Sequence, residues 1–163
     1  MSAILLMMKY ILFFVLFISS FNSFCQQQIF RGEYKSGGKT KESAVQFLHI
    51  YYGEKSEILF YLEASRGAPS YNSGSIYGRL IIDSRKDHLQ YIPEDTAADC
   101  TLEFIKKGNK ILVKTTHGKC QFGYGVDADG DYSLVSGTNP LYFTDRHGKR
   151  IYFSKTAPEN YFR

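Results

Sequence analysis

Apolar and polar positions alternate through most of the chain after Gln26. In "QIFRGEYK", Ile29, Arg31 and Glu33 fall on one side and Phe30, Gly32 and Tyr34 on the other. Leu102 and Phe104 alternate with Thr101 and Glu103. Ile111 and Val113 alternate with Lys110, Leu112 and Lys114. A period of two is the signature of a strand with one buried face. "AVQFLHIYYG", "EILFYLEA", "SIYGRLIID", "HLQYI", "YSLV" and "RIYFSK" are dense in β-branched and aromatic residues, and each is bounded by Gly, Ser or charge. "SAVQFLHIYYGE" can also be drawn as an amphipathic helix on Ala44, Phe47, Leu48 and Tyr51. Its Val, Phe, Ile and paired Tyr favour a strand. Short strands at this spacing predict an all-β fold, an antiparallel barrel or sandwich of about eight strands.

Turn chemistry divides the strands. "KKGNK", residues 106–110, carries Gly-Asn between two apolar runs and predicts a tight hairpin. "VDADGDY" predicts a second hairpin, with Asp129-Gly130 as its tip between "FGYGV" and "DYSLV". Asp127, Asp129 and Asp131 also alternate like the first ligands of a calcium loop. The glycine stands at the fourth loop position rather than the sixth, and no Glu occupies the twelfth, so no metal is assigned. The glycines at 123 and 125 suit a place where another backbone or ring approaches closely. The tail "TAPENYFR" ends the last strand and is expected to pack through Tyr161 and Phe162.

The amino-terminal pattern is different. Lys9 precedes an unbroken apolar run from Tyr10 to Ile18, followed by small and polar residues. That arrangement predicts a secretory signal peptide over residues 1–25. The apolar run falls short of the roughly 20 residues that span a bilayer. Cleavage after Cys25 leaves one domain, residues 26–163, soluble in the periplasm or secreted. A lipid anchor on Cys25 is the alternative, disfavoured by the bulky Phe24 beside it.

Export changes the meaning of the cysteines. Of three, Cys25 leaves with the signal, and Cys100 and Cys120 are expected to form one disulfide. The net charge of +4 falls by one with Lys9. No Lys/Arg stripe appears, which argues against nucleic acid. Thirteen Tyr and thirteen Phe with no Trp supply core first, because aromatic rings bury large areas.

Catalytic signatures are nearly absent. His49, His88, His117 and His147 do not stand at metal-site spacing. There is no nucleophile elbow and no phosphate loop. His49 lies in an apolar strand, where a half-buried structural role is the ordinary outcome. A hydrolase built on an unrecognised carboxylate pair is a third-ranked alternative, and no cofactor is called for.

The stretch "EASRGAPSYNSGSIYGRLII" is longer than a hairpin connection needs, and long ordered loops are often functional. Its slim Ser73-Gly74 centre is flanked by Tyr71 and Tyr77. Ser73-Gly74-Ser75-Ile76-Tyr77 resembles the Ser-Gly-x-x-Tyr motif of the periplasmic and surface lysozyme inhibitors. That family consists of small exported β-domain proteins whose Ser-Gly loop enters the lysozyme cleft. The resemblance implies that Ser73 is the hydrogen-bonding tip, Gly74 the turn and Tyr77 the anchor. It implies a non-enzymatic binding protein whose partner is a lysozyme or other peptidoglycan hydrolase. The competing expectation is a lipocalin-like carrier holding an apolar ligand inside the barrel.

Overall fold

A computed structural model describes residues 30–40, 42–85, 87–93, 100–120 and 122–161. The expected signal peptide, Cys25 and Phe162 lie outside the described residues. Among the described residues, eleven strands and one short α-helix follow in order, with a single 3-10 turn at Glu54–Ser56 between the second and third strands: β1 (Gly32–Gly37), β2 (Val45–Tyr52), β3 (Ile58–Ser65), β4 (Ser73–Arg79), β5 (Ile81–Ile82), β6 (His88–Tyr91), β7 (Cys100–Lys107), β8 (Lys110–Gly118), β9 (Gly130–Ser136), β10 (Tyr142–Thr144), β11 (Arg150–Tyr152) and α1 (Pro158–Tyr161).

Nine strands form one antiparallel sheet in the order β4-β3-β2-β1-β9-β8-β7-β6-β5. The two ends of that order, β4 and β5, are consecutive in the chain and separated only by Leu80. A sheet whose edges are joined by one residue must curl back on itself, so the architecture is a nearly closed barrel. Leu80 N donates to Ile58 O at 2.8 Å at the junction. Gly78 permits the closure, since a Cβ there would stand 2.6 Å from the Tyr91 ring of β6.

The barrel interior is filled. Leu48, Ile50, Phe60, Leu62, Leu102, Phe104, Ile111 and Val113 are fully buried in one cluster. Phe60 meets both Phe104 and Tyr91 edge-on at 5.1 Å. Buried hydroxyls find partners, as buried polar groups must. Tyr34 donates to Phe30 O at 2.9 Å, and Tyr132 donates to Ala128 O at 2.8 Å. Burial raises the Tyr34 phenol to about 12. It also lowers the ammonium of Lys106, which lies 3.0 Å from the Tyr34 hydroxyl.

β3 departs from alternation because both its faces are covered, which produces a continuous apolar run. Ile58, Phe60 and Leu62 point into the barrel. Leu59 and Tyr61 point out into a second core with Tyr77, Phe143, Ile151 and Phe153. The lid over that outer face is the β10–β11 hairpin together with α1. Tyr61 and Phe143 stack at 3.8 Å with planes 9° apart.

The hairpin predicted at Gly108-Asn109 forms, with Lys107 opposite Lys110. Cys100 and Cys120 are bonded near its open end with Cα atoms 4.7 Å apart. The hairpin expected at Asp129-Gly130 does not form. Residues 122–129 are a loop rather than a strand, and β9 begins at Gly130 and pairs with both β8 and β1. The reason is local. The Asp129 carboxylate accepts the Thr115 backbone N–H at 2.8 Å and its hydroxyl at 2.7 Å, which pins the loop to β8. Strand β10, at "YFT", is too short to show a period in the sequence.

Candidate functional site

The long loop is shorter than its composition implies. It covers residues 66–72, and the Ser-Gly pair belongs to β4. The loop closes on itself through Arg66 N donating to Asn72 O at 2.9 Å and Tyr71 N donating to Gly67 O at 2.8 Å. Its residues 68–71 are exposed. Tyr71 is 61% exposed and holds φ at +50°. That left-handed conformation is unusual for a bulky side chain and costs free energy.

The sequence motif places Ser73 and Gly74 at a loop tip; the structure corrects this. Ser73 pairs with Ser65 and Gly74 with Ala64 across β3 and β4. Gly74 is glycine because the Phe122 backbone lies against it, and any Cβ would overlap that backbone. Tyr77 is also not a presented residue. It is 2% exposed, and its hydroxyl donates to Thr156 O at 2.6 Å. It anchors the carboxy-terminal segment rather than the loop. Of the four expected contact residues, Tyr71 is exposed, Ser73 is half-buried, and Gly74 and Tyr77 are inside.

The strand edge meets the second glycine-rich stretch. Asn72 Nδ2 donates to Tyr124 O at 2.8 Å, so the loops of residues 66–72 and 122–126 are neighbours. Gly125 leaves room for the Arg66 guanidinium, 2.5 Å from where a Cβ would stand. The close neighbour of Gly125 is thus a guanidinium rather than the expected backbone or ring; at Gly123 a Cβ would stand 3.6 Å from Ser73 O, an ordinary contact, and no strand carries either glycine. Tyr124 is 87% exposed. Tyr71 and Tyr124 thus occupy adjacent loops, held 53 residues apart in sequence by one hydrogen bond and the disulfide-tied segment beside it.

A separate cleft of about 850 Å³ lies on the outside of the barrel, between the outer faces of β1–β3 and residues 138–148. Strand register builds its floor as two rows: Glu33–His49–Tyr61 and Lys35–Phe47–Glu63. The wall is fixed to the floor by Asn139. Its Oδ1 accepts Tyr52 N and its Nδ2 donates to Tyr52 O, both at 2.9 Å. Tyr61 donates to Glu63 Oε2 at 2.9 Å. His49 Nδ1 is buried without a hydrogen-bond partner and lies 3.8 Å from Glu33 Oε1. Burial lowers the His49 pKa, with Glu33 opposing the shift, which favours a neutral imidazole. Nothing local in the sequence marks this cleft. Its lining comes from β1–β3 and from β10 with its flanking loops, 75 or more residues downstream, and no local pattern links the two.

Among the described residues, no group of three or more His, Cys, Asp or Glu is placed to hold a metal. Asp129 is committed to Thr115, and Asp131 sits on β9 opposite Leu112. Among the described residues, no helix is long and apolar enough to cross a membrane. Architecture and surface together define a small, nearly closed, disulfide-bonded antiparallel barrel with two solvent-facing features. Comparison with known proteins found no matching family model, no matching curated protein and no matching solved structure.

Proposed function

We propose that this chain is an exported, non-enzymatic binding protein that offers Tyr71 and Tyr124 to a macromolecular partner. One observation carries it: two largely exposed tyrosines stand on hydrogen-bonded neighbouring loops. Tyr is a preferred anchor residue because it brings a large amphipathic area at little entropic cost. The positive φ of Tyr71 adds support, since local strain gathers at contact sites. The disulfide and the amino-terminal apolar run support export. The filled interior counts against a lipocalin-like carrier, which needs a cavity where Phe60 and Phe104 pack. In its sharper form the partner is a lysozyme or other peptidoglycan hydrolase, with Tyr71 central and Ser73 at the margin of the contact.

The test is residual activity of C-type, I-type and G-type lysozymes titrated with wild type, Ser73→Ala, Tyr71→Ala and Tyr124→Ala. A tyrosine anchor contributes about 2 kcal/mol or more, a factor of roughly 30 in affinity. Each tyrosine variant is expected to weaken inhibition by that order, and Ser73→Ala by less. Failure of wild type to inhibit any of the three classes removes the lysozyme partner. Inhibition that survives loss of both tyrosines removes this surface as the site.

A further inference from the structure

We propose that the outer cleft is a second binding site, and that its ligand is a neutral oligosaccharide. The cleft is separate from the Tyr71–Tyr124 loops, so this inference does not depend on the function proposed above. Its size, about 850 Å³, falls within the roughly 300–1,000 Å³ of small-molecule sites.

The class of ligand follows from what the walls offer. Glu33, Glu63 and Asp145 line the cleft with Arg146. Two further cations sit on the aromatic rings at the rim. Lys35 Nζ lies 5.6 Å from the Phe47 ring centre, and the Arg150 guanidinium lies 4.9 Å from that of Tyr142. The three carboxylates and three cations balance, so the local field favours neither an anion nor a cation. A purely apolar ligand would desolvate the Glu33 carboxylate and the Glu63 oxygen that Tyr61 does not hold, which is costly. A polyhydroxylated neutral ligand has neither problem. Its hydroxyls donate to the Glu33 and Glu63 carboxylates and accept from Arg146, and hydrogen bonds to charged groups are the stronger kind.

Specific geometry supports the same ligand. The Tyr61 hydroxyl holds one oxygen of Glu63 at 2.9 Å and so aims the carboxylate. His49 stands between Glu33 and Tyr61 in the floor, with its Nδ1 buried beneath the cleft surface. Phe47 and Tyr142 are 40% and 36% exposed. Phe47 carries Lys35 above its ring, and Tyr142 is flanked by Arg150 and by the Tyr152 ring at 5.6 Å, so the exposed part of each ring is suited to the C–H face of a sugar ring. The Asn139 clamp on Tyr52 holds floor and wall at fixed separation, so the site is formed before ligand arrives.

The test is an amide NMR titration of the purified protein with three neutral trisaccharides, maltotriose, cellotriose and triacetylchitotriose, and with spermidine as a cationic comparator. At least one trisaccharide is expected to shift the amides of residues 33, 47, 63 and 141–146 saturably. Glu63→Gln and Phe47→Ala should each weaken that binding at least tenfold, while Tyr71→Ala leaves it unchanged. Should Phe47→Ala fail to fold, the near-isosteric Glu63→Gln carries the comparison. The proposal is overturned by no shift with any of the three sugars, by shifts that both variants leave intact, or by tighter binding of spermidine. Release of new reducing ends during the titration overturns it in favour of a hydrolase.

Discussion

Replacing Tyr77 separates a structural tyrosine from a presented one. The motif "SGSIY" suggests a contact role, whereas its ring lies among Phe143, Phe153 and Tyr161 at centroid distances of 5.0, 5.7 and 5.6 Å. Its hydroxyl holds Thr156 O at 2.6 Å. Tyr77→Phe removes one hydrogen bond and keeps the ring. Such a bond contributes about 0.5–1.5 kcal/mol net. At about 3–5 °C per kcal/mol for a domain of this size, the melting temperature should fall by roughly 2–7 °C. Tyr77→Ala empties a fully buried aromatic site, which costs about 3–5 kcal/mol. That is a large share of the roughly 5–15 kcal/mol that holds a domain folded. Urea unfolding of wild type and both variants measures the two steps. Hydrogen exchange should localise the change to residues 152–161, because Tyr77 pins that segment to β4. A Tyr77→Ala protein melting within a degree of wild type would refute the buried role. A Tyr77→Phe protein that keeps full stability but loses its partner would return the hydroxyl to the contact.

Gly74→Ala should destabilise the fold by about 1–3 kcal/mol through overpacking, because its Cβ meets the Phe122 backbone; an unchanged urea midpoint would show that the loop moves aside freely. Removing the Cys100–Cys120 bond, which closes a 20-residue separation, should cost about 3 kcal/mol in the chain-entropy model, and mass spectrometry of the unreduced protein should find the two cysteines in one linked peptide pair. Millimolar calcium should leave the melting temperature unchanged; a site filled at 100 times its dissociation constant would add about 2.7 kcal/mol and show as a rise of several degrees. Acid should destabilise the β6–β7 face. Burial alone would raise the Glu103 pKa, but His88 and Arg85 outweigh it and hold the carboxyl below its ordinary value. A carboxylate depressed in the folded state stabilises above its unfolded pKa and loses that contribution as pH falls through the folded value. The melting temperature of wild type should therefore drop below about pH 4.5 more steeply than that of Glu103→Gln, and equal slopes would refute it.

Local pattern decided the fold class. Alternation in "CTLEFIKK" and "KILVK" states which residues face inward, and Gly108-Asn109 states where the chain reverses, so the β7–β8 hairpin and its disulfide are legible without coordinates. These features depend on neighbours in sequence or directly across one turn. The closure of the sheet is different in kind. Leu80 joins its two edges, but only the strand order makes that junction a closure. "ILFYL" reads as a strand, yet a covering hairpin from residues 142–152 makes it buried on both faces. The roles of Ser73, Gly74 and Tyr77 turned on contacts with Phe122 and Thr156, which lie 48 or more positions away. The paired tyrosines and the outer cleft have the same origin: their residues converge through register and loop docking, and no local spacing rule encodes a meeting between segments so far apart in the chain.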